Sequence, residues 1–189
     1  MKRTLFFALA LLSCTAFAQT RVDLDAVIGK DFSGPPSLDQ AERALEADSP
    51  FLGLGWEVLM GHLGLGESVL VDFNENPPSN WWLDWDAQAL FISYHILGPK
   101  TFIDPFVNAG LGCAGRVFLG PGSSSEDRLL LTLYPFVGAG AALVLDGLHL
   151  GAKLSYALDR SPIPATAIPG YPLGRFQAQV FVGFSLGPR

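Results

Sequence analysis

The stretch Arg175-Phe176-Gln177-Ala178-Gln179-Val180-Phe181-Val182-Gly183-Phe184-Ser185-Leu186 decides the fold. Successive side chains of a β-strand point to opposite faces. Even positions give Phe176, Ala178, Val180, Val182, Phe184 and Leu186, all apolar. Odd positions give Arg175, Gln177, Gln179, Phe181, Gly183 and Ser185, which carry the polar groups. Helical spacing would scatter these two sets around one cylinder, so the segment reads as a strand with one apolar and one polar face.

Seven further runs upstream keep the same period. Leu148, Leu150, Ala152, Leu154, Tyr156 and Leu158 oppose His149, Gly151, Lys153, Ser155 and Asp159. Leu129 to Leu145 alternates against Arg128, Thr132, Tyr134, Gly138 and Gly140. Ile103, Pro105, Val107, Ala109, Leu111 and Cys113 oppose Asp104, Asn108, Gly110, Gly112 and Arg116. Leu83, Trp85, Ala87, Ala89 and Phe91 oppose Asp84, Asp86 and Gln88. Leu52, Leu54, Trp56, Val58 and Met60 oppose Gly53, Gly55 and Glu57. Val22, Leu24, Ala26 and Ile28 oppose Arg21, Asp23 and Asp25. A shorter run sets Val69, Val71 and Phe73 against Ser68 and Asp72. The strands therefore number eight.

Their connections alternate in length. Tight ones fall near His62–Gly66, at Gly98-Pro99-Lys100 and at Asp146-Gly147, a pair that favours a two-residue hairpin. Long ones, 29–50, 74–80, 119–127 and 159–174, collect the breakers, among them Pro35-Pro36, Pro77-Pro78 and Pro162. Residues 37–47 carry a short-helix signal, with Ser37 as N-cap and Gln40 completing a capping box. Short turns at one end and long loops at the other, with apolar outer faces, specify an all-β, eight-stranded antiparallel up-and-down transmembrane β-barrel. Closure is required in lipid, where an open sheet edge leaves backbone groups unpaired. A soluble barrel would put its polar face outside.

Composition agrees. Of 189 residues, 49% are hydrophobic and 16% charged, which excludes a disordered chain. The formal charge of −6 excludes a nucleic-acid partner, because phosphate binding needs a basic face. Residues 1–18 read as a cleavable export signal: Lys2-Arg3, a short apolar run, then Ala16-Phe17-Ala18. Cleavage before Cys14 with lipidation is the alternative. The barrel domain is then 19–189, with Cys113 as its one thiol and no disulfide.

Two segments carry a family likeness. Pro105-Phe106-Val107-Asn108-Ala109-Gly110 and Pro135-Phe136-Val137-Gly138-Ala139-Gly140 resemble the P-[FY]-V-x-A-G strand motif of small outer-membrane barrels of the OmpA/OmpX/OmpW-like type. The resemblance implies residence in the outer membrane. It also implies insertion by the outer-membrane assembly machinery, with lipid as the constant partner and the long loops free to meet an extracellular ligand.

The polar faces give the candidate residues. Arg21, Asp23, Asp25, Glu57, Asp84, Asp86, Gln88, Asn108, Arg116, Arg128, Tyr134, Lys153, Arg175, Gln177 and Gln179 form an expected lumen network, since buried charges persist chiefly when paired. Asp84 and Asp86 share a face as acid/base carboxylates would, but charge balance in a lumen explains them as well. Trp81, Trp82 and Trp85 read as an interfacial aromatic girdle. His62, His95 and His149 share no metal-ligand spacing, and neither metal nor cofactor is expected. Ser93 and His95 fall on the apolar face of the fourth run, where a lipid A deacylase would hold its pair, yet at the end away from that substrate. The expected function is a non-enzymatic outer-membrane barrel: structural, adhesive or passing small solutes. The alternatives are a membrane-embedded lipid-modifying enzyme and a soluble, lipocalin-like carrier of an apolar ligand.

Overall fold

The computed structural model describes residues 20–32, 51–76, 80–98, 101–118, 129–158, 161–163 and 176–187. The strands are β1 (Thr20–Phe32), β2 (Phe51–Met60), β3 (Leu63–Asn76), β4 (Asn80–His95), β5 (Ile103–Phe118), β6 (Leu129–Leu145), β7 (Leu148–Ala157), β8 (Ser161–Ile163) and β9 (Phe176–Leu186). Every paired strand is antiparallel. Each long strand pairs with its neighbours in sequence, β7 pairs with β9, and β9 returns to β1. The eight long strands thus close into a barrel. The three-residue β8 lies beside β6 beyond the end of β7.

The closing seam joins the first and last strands from Val22↔Leu186 to Phe32↔Phe176. It sets the apolar phase of β9 on the outside with that of β1. Leu24, Ile28, Leu52, Leu54, Leu111, Leu150, Val180 and Phe184 are among the large apolar side chains exposed there. An apolar carrier needs the reverse, a polar outside, so the soluble-carrier alternative fails on the observed faces. The protein is a transmembrane β-barrel in architecture.

The turns follow local chemistry. Asp146 and Gly147 take φ of 43° and 90°, the two left-handed positions of the hairpin that matches strand twist. The β2–β3 turn is only Gly61-His62, with Gly61 at φ 66°, so β3 begins at Leu63 rather than near Glu67. β3 and β4 also extend towards each other, leaving 77–79 between them. The long loop expected over 74–80 is therefore short. The expected helix at 37–47 and the export signal at 1–18 lie outside the described residues, as do the loop positions 119–128 and 164–175.

Pro135 sits in the middle of β6 without breaking the barrel. β6 pairs with β7 from Phe136↔Ala157 downward and with β8 from Leu133↔Ser161 upward. Pro135 occupies the gap between these two partners, where the ladder needs no donor from it.

The main departure from strict alternation lies in β4. Its pairing with β5 shifts between Ala87 and Leu90, and its pairing with β3 shifts between Gly66 and Ser68. Ala89 and Leu90 are both exposed. A bulge inserts one residue and inverts the phase beyond it. Phe91, Ser93 and His95 consequently point inward, while Ile92 and Tyr94 face out. Their expected place on the lipid face is corrected by this bulge.

The lumen is less uniformly polar than expected. Val27, Leu70, Phe106, Ala142 and Phe181 form one buried cluster, and Phe91, Ala114, Tyr134, Phe136 and Ala157 another. The rings fit because glycines on neighbouring strands leave room: a Cβ on Gly140 would strike Phe106, and one on Gly151 would strike Phe181.

Candidate functional site

The inward faces of β1, β2, β4 and β5 meet near the short-turn end. Arg21 and Asp23 share a face of β1 two residues apart. The Arg21 guanidinium donates to Asp23 Oδ2 at 2.8 Å and to Asp104 Oδ2 of β5 at 3.2 Å. That same carboxylate oxygen lies 2.8 Å from His95 Nδ1. His95 Nε2 is 3.2 Å from both Ser93 Oγ and Glu57 Oε1, and the Ser93 hydroxyl donates to Glu57. On the opposite wall His149 Nε2 pairs with Asp25, and its Nδ1 is 3.2 Å from Ser185 Oγ. Phe106 stacks on the His95 ring, with centroids 5.4 Å apart.

Further along the barrel a second network crosses the lumen. Lys153 Nζ donates to Gln88 Oε1 at 2.9 Å and lies 5.1 Å from the centre of the Phe91 ring. Gln88 Nε2 donates to Ser155 Oγ at 3.1 Å and to Gln177 Oε1 at 3.3 Å. Gln177 Nε2 reaches Asp86 Oδ2 and Asp31 Oδ1, each at 3.0 Å. Tyr134 donates to Asp86, and Gln179 donates to Gln177.

Of the residues expected in the lumen, Arg21, Asp23, Asp25, Glu57, Asp86, Gln88, Tyr134, Lys153, Gln177 and Gln179 belong to these two networks. Asp84 and Asn108 are buried on the same inner face. Arg116 lies in β5, but its side chain is outside the described residues, as are Arg128 and Arg175 altogether. Trp85 is half-buried in the outward phase of β4; the side chains of Trp81 and Trp82 are outside the described set. Sequence reasoning left Ser93, His95, Asp104, His149, Ser155 and Asp31 out of the network. Asp104, His149 and Ser155 carried the right phase for it, whereas Ser93 and His95 were hidden by the bulge.

Ser93, His95 and Asp104 have the connectivity of a nucleophile, a base and an orienting acid. Three observations weigh against catalysis. The Ser93 hydroxyl is shared between Glu57 and His95 and is not committed to the base. Ser93, His95 and Asp104 are 1%, 3% and 1% exposed. His95 and Asp104 line a narrow cavity in the lumen that Ser93 does not reach. Their side chains face the lumen and not the lipid side of the wall. Among the described residues no group of three or more His, Cys, Asp or Glu is placed to hold a metal ion. What the arrangement does do is join strands far apart in sequence. Arg21 ties β1 to β5, His95 ties β4 to both β5 and β2, and Gln88 ties β4 to β7 and β9.

No family model matches the chain, and no curated protein matches it. Solved structures do. The N-terminal β-barrel domain of Pseudomonas aeruginosa OprF aligns at 17% identity and a TM-score of 0.52, over 88% of this chain and 97% of that one. Ail, the attachment invasion locus protein of Yersinia pestis, aligns at 11% identity and a TM-score of 0.49, over 88% and 96%. Neisserial surface protein A aligns at 12% and 0.45, over 89% and 96%. The likeness to the OprF domain is one of fold: a small eight-stranded outer-membrane barrel.

Proposed function

We propose that this chain is a non-enzymatic outer-membrane protein, a closed barrel that acts as a rigid scaffold for its long connections. The observation that carries the reading is the pairing of an apolar exterior with a lumen cross-linked from wall to wall. An eight-stranded barrel has an interior that side chains fill. Here rings over glycines and two hydrogen-bonded networks fill it, which supports a plug rather than a channel. Connections 33–50, 119–128 and 164–175 leave from the end opposite the Gly61-His62 and Asp146-Gly147 turns. In the outer membrane that end faces outward, with the short turns periplasmic. A ligand or surface outside the cell would meet those connections.

Membrane fractionation is the direct test. The protein should stay with the outer membrane through alkaline and high-salt washes. Its unheated form should migrate differently from its boiled form on a gel. In planar bilayers it should give no stepwise conductance of porin size. Release by the washes, or a boiled form that migrates like the unheated one, would overturn the reading.

The case against catalysis has its own test. Ser93→Ala should fold normally and cost about 1 kcal/mol, the net worth of one hydrogen bond. A fluorophosphonate probe should leave Ser93 of the folded barrel unmodified. Covalent labelling at Ser93, abolished by His95→Ala, would make the chain a serine enzyme instead.

A further inference from the structure

Among the described residues six buried side-chain polar atoms have no hydrogen-bond partner: Asp23 Oδ1, Ser68 Oγ, Asp104 Oδ1, Gln179 Oε1 and both amide atoms of Asn108. They come from four strands, β1, β3, β5 and β9. Yet all five residues line the same narrow cavity, whose walls include members of both lumen networks. Buried polar groups without partners are rare, and an ion or a water is the usual reason for them. The chemistry here is one-sided, since five of the six atoms are oxygens. Arg21 takes Oδ2 of Asp23 and Oδ2 of Asp104, which leaves one oxygen over on each carboxylate. Lys153, the other fixed cation of the wall, donates to Gln88 and not to a carboxylate. The charge is one-sided too. Asp23, Asp25, Glu57, Glu67 and Asp104 line the cavity, Glu67 from β3, where it accepts from the Trp56 indole N–H at 3.2 Å. Against these five stand Arg21, Lys153, His95 and His149. Even with both imidazoles charged, one negative charge is left over, and an unpaired charge away from water is costly.

We propose that this lumen cavity binds one small monovalent cation together with its own waters. A single positive charge balances the walls. The oxygens of Asp23, Ser68, Asp104, Asn108 and Gln179 accept from the ion's waters or face the ion, and the Asn108 amide N–H donates to a water. These residues suit a monovalent ion better than a divalent one. Among the described residues no three His, Cys, Asp or Glu are placed together to hold a metal ion, and both carboxylates with a spare oxygen are already shared with Arg21. The bound ion adds a tie among β1, β3, β5 and β9.

The inference goes beyond the scaffold reading and needs only the closed barrel, which the gel shift on heating reports separately. The full chain is folded into phosphatidylcholine vesicles and unfolded with urea. Sodium chloride replaces the bulky N-methylglucamine chloride at constant ionic strength, so general screening does not change. Between roughly 20 and 200 mM sodium the unfolding constant should fall several-fold, with about tenfold as the limit for one bound ion. Asn108→Leu and, as the milder change, Ser68→Ala should keep the heat shift and cut that sodium response. Equal unfolding constants in the two salts would mean that the cavity takes water alone, and would overturn the proposal. A sodium response undiminished in both variants would place the ion elsewhere and overturn it as well.

Discussion

Arg21→Met is expected to destabilise the folded barrel by about 3–5 kcal/mol, the range for removing one partner of a buried ion pair. The guanidinium is buried between Asp23 and Asp104, and donates to both. Methionine fills much of the same volume, so the loss is electrostatic rather than a cavity. It leaves two carboxylates in the lumen with their shared cation gone. Asp104 keeps His95 at 2.8 Å, whereas Asp23 has no other cationic partner within bridging distance among the described residues. Urea unfolding in phospholipid vesicles measures the difference. Adding Asp23→Asn and Asp104→Asn to Arg21→Met should recover most of the loss, because neutral amides need no counter-charge. If the triple variant were as unstable as the single one, packing around Arg21, and not charge pairing, would be its role.

The barrel was legible because lipid outside and polar groups inside make period two unambiguous. Val180, Val182 and Phe184 against Gln177 and Gln179 leave one consistent reading of β9. The site was less legible, because a phase slip writes no letter of its own. Between Gln88 and Phe91 the residues are Ala89 and Leu90, both acceptable on a lipid face, so alternation continues past the bulge without a visible fault. The signal lay further on. Ser93 and His95 in an outward phase put two polar groups in lipid, a cost that a one-residue slip removes. The inward Phe106 and Phe136 were obscured for another reason. A ring fits the lumen only beside a glycine of the next strand, and that adjacency depends on cross-strand register. Glu67 stood at the start of the shorter run, where no face was assigned to it.

Val180→Arg is expected to cost roughly 2–4 kcal/mol, the penalty for a basic side chain on the lipid face near mid-depth. Val180 is 54% exposed, lies well inside both ends of β9, and is bordered by Ile28 of β1 and Ala152 of β7. Its neighbour Gln179 points the other way and is 2% exposed. An arginine at Gln179 would make a poor comparison, because Lys153 is its direct cross-strand partner and like charges would meet. Gln179→Glu is the fitting control. It adds one charge beside a lumen cation, keeps the side-chain length, and should cost far less than the arginine next door. Refolding yield and urea midpoint in vesicles of one lipid composition give the comparison. A larger loss from Gln179→Glu than from Val180→Arg would mean that the outside of this barrel is not in lipid. The apolar belt would then have to be covered by protein.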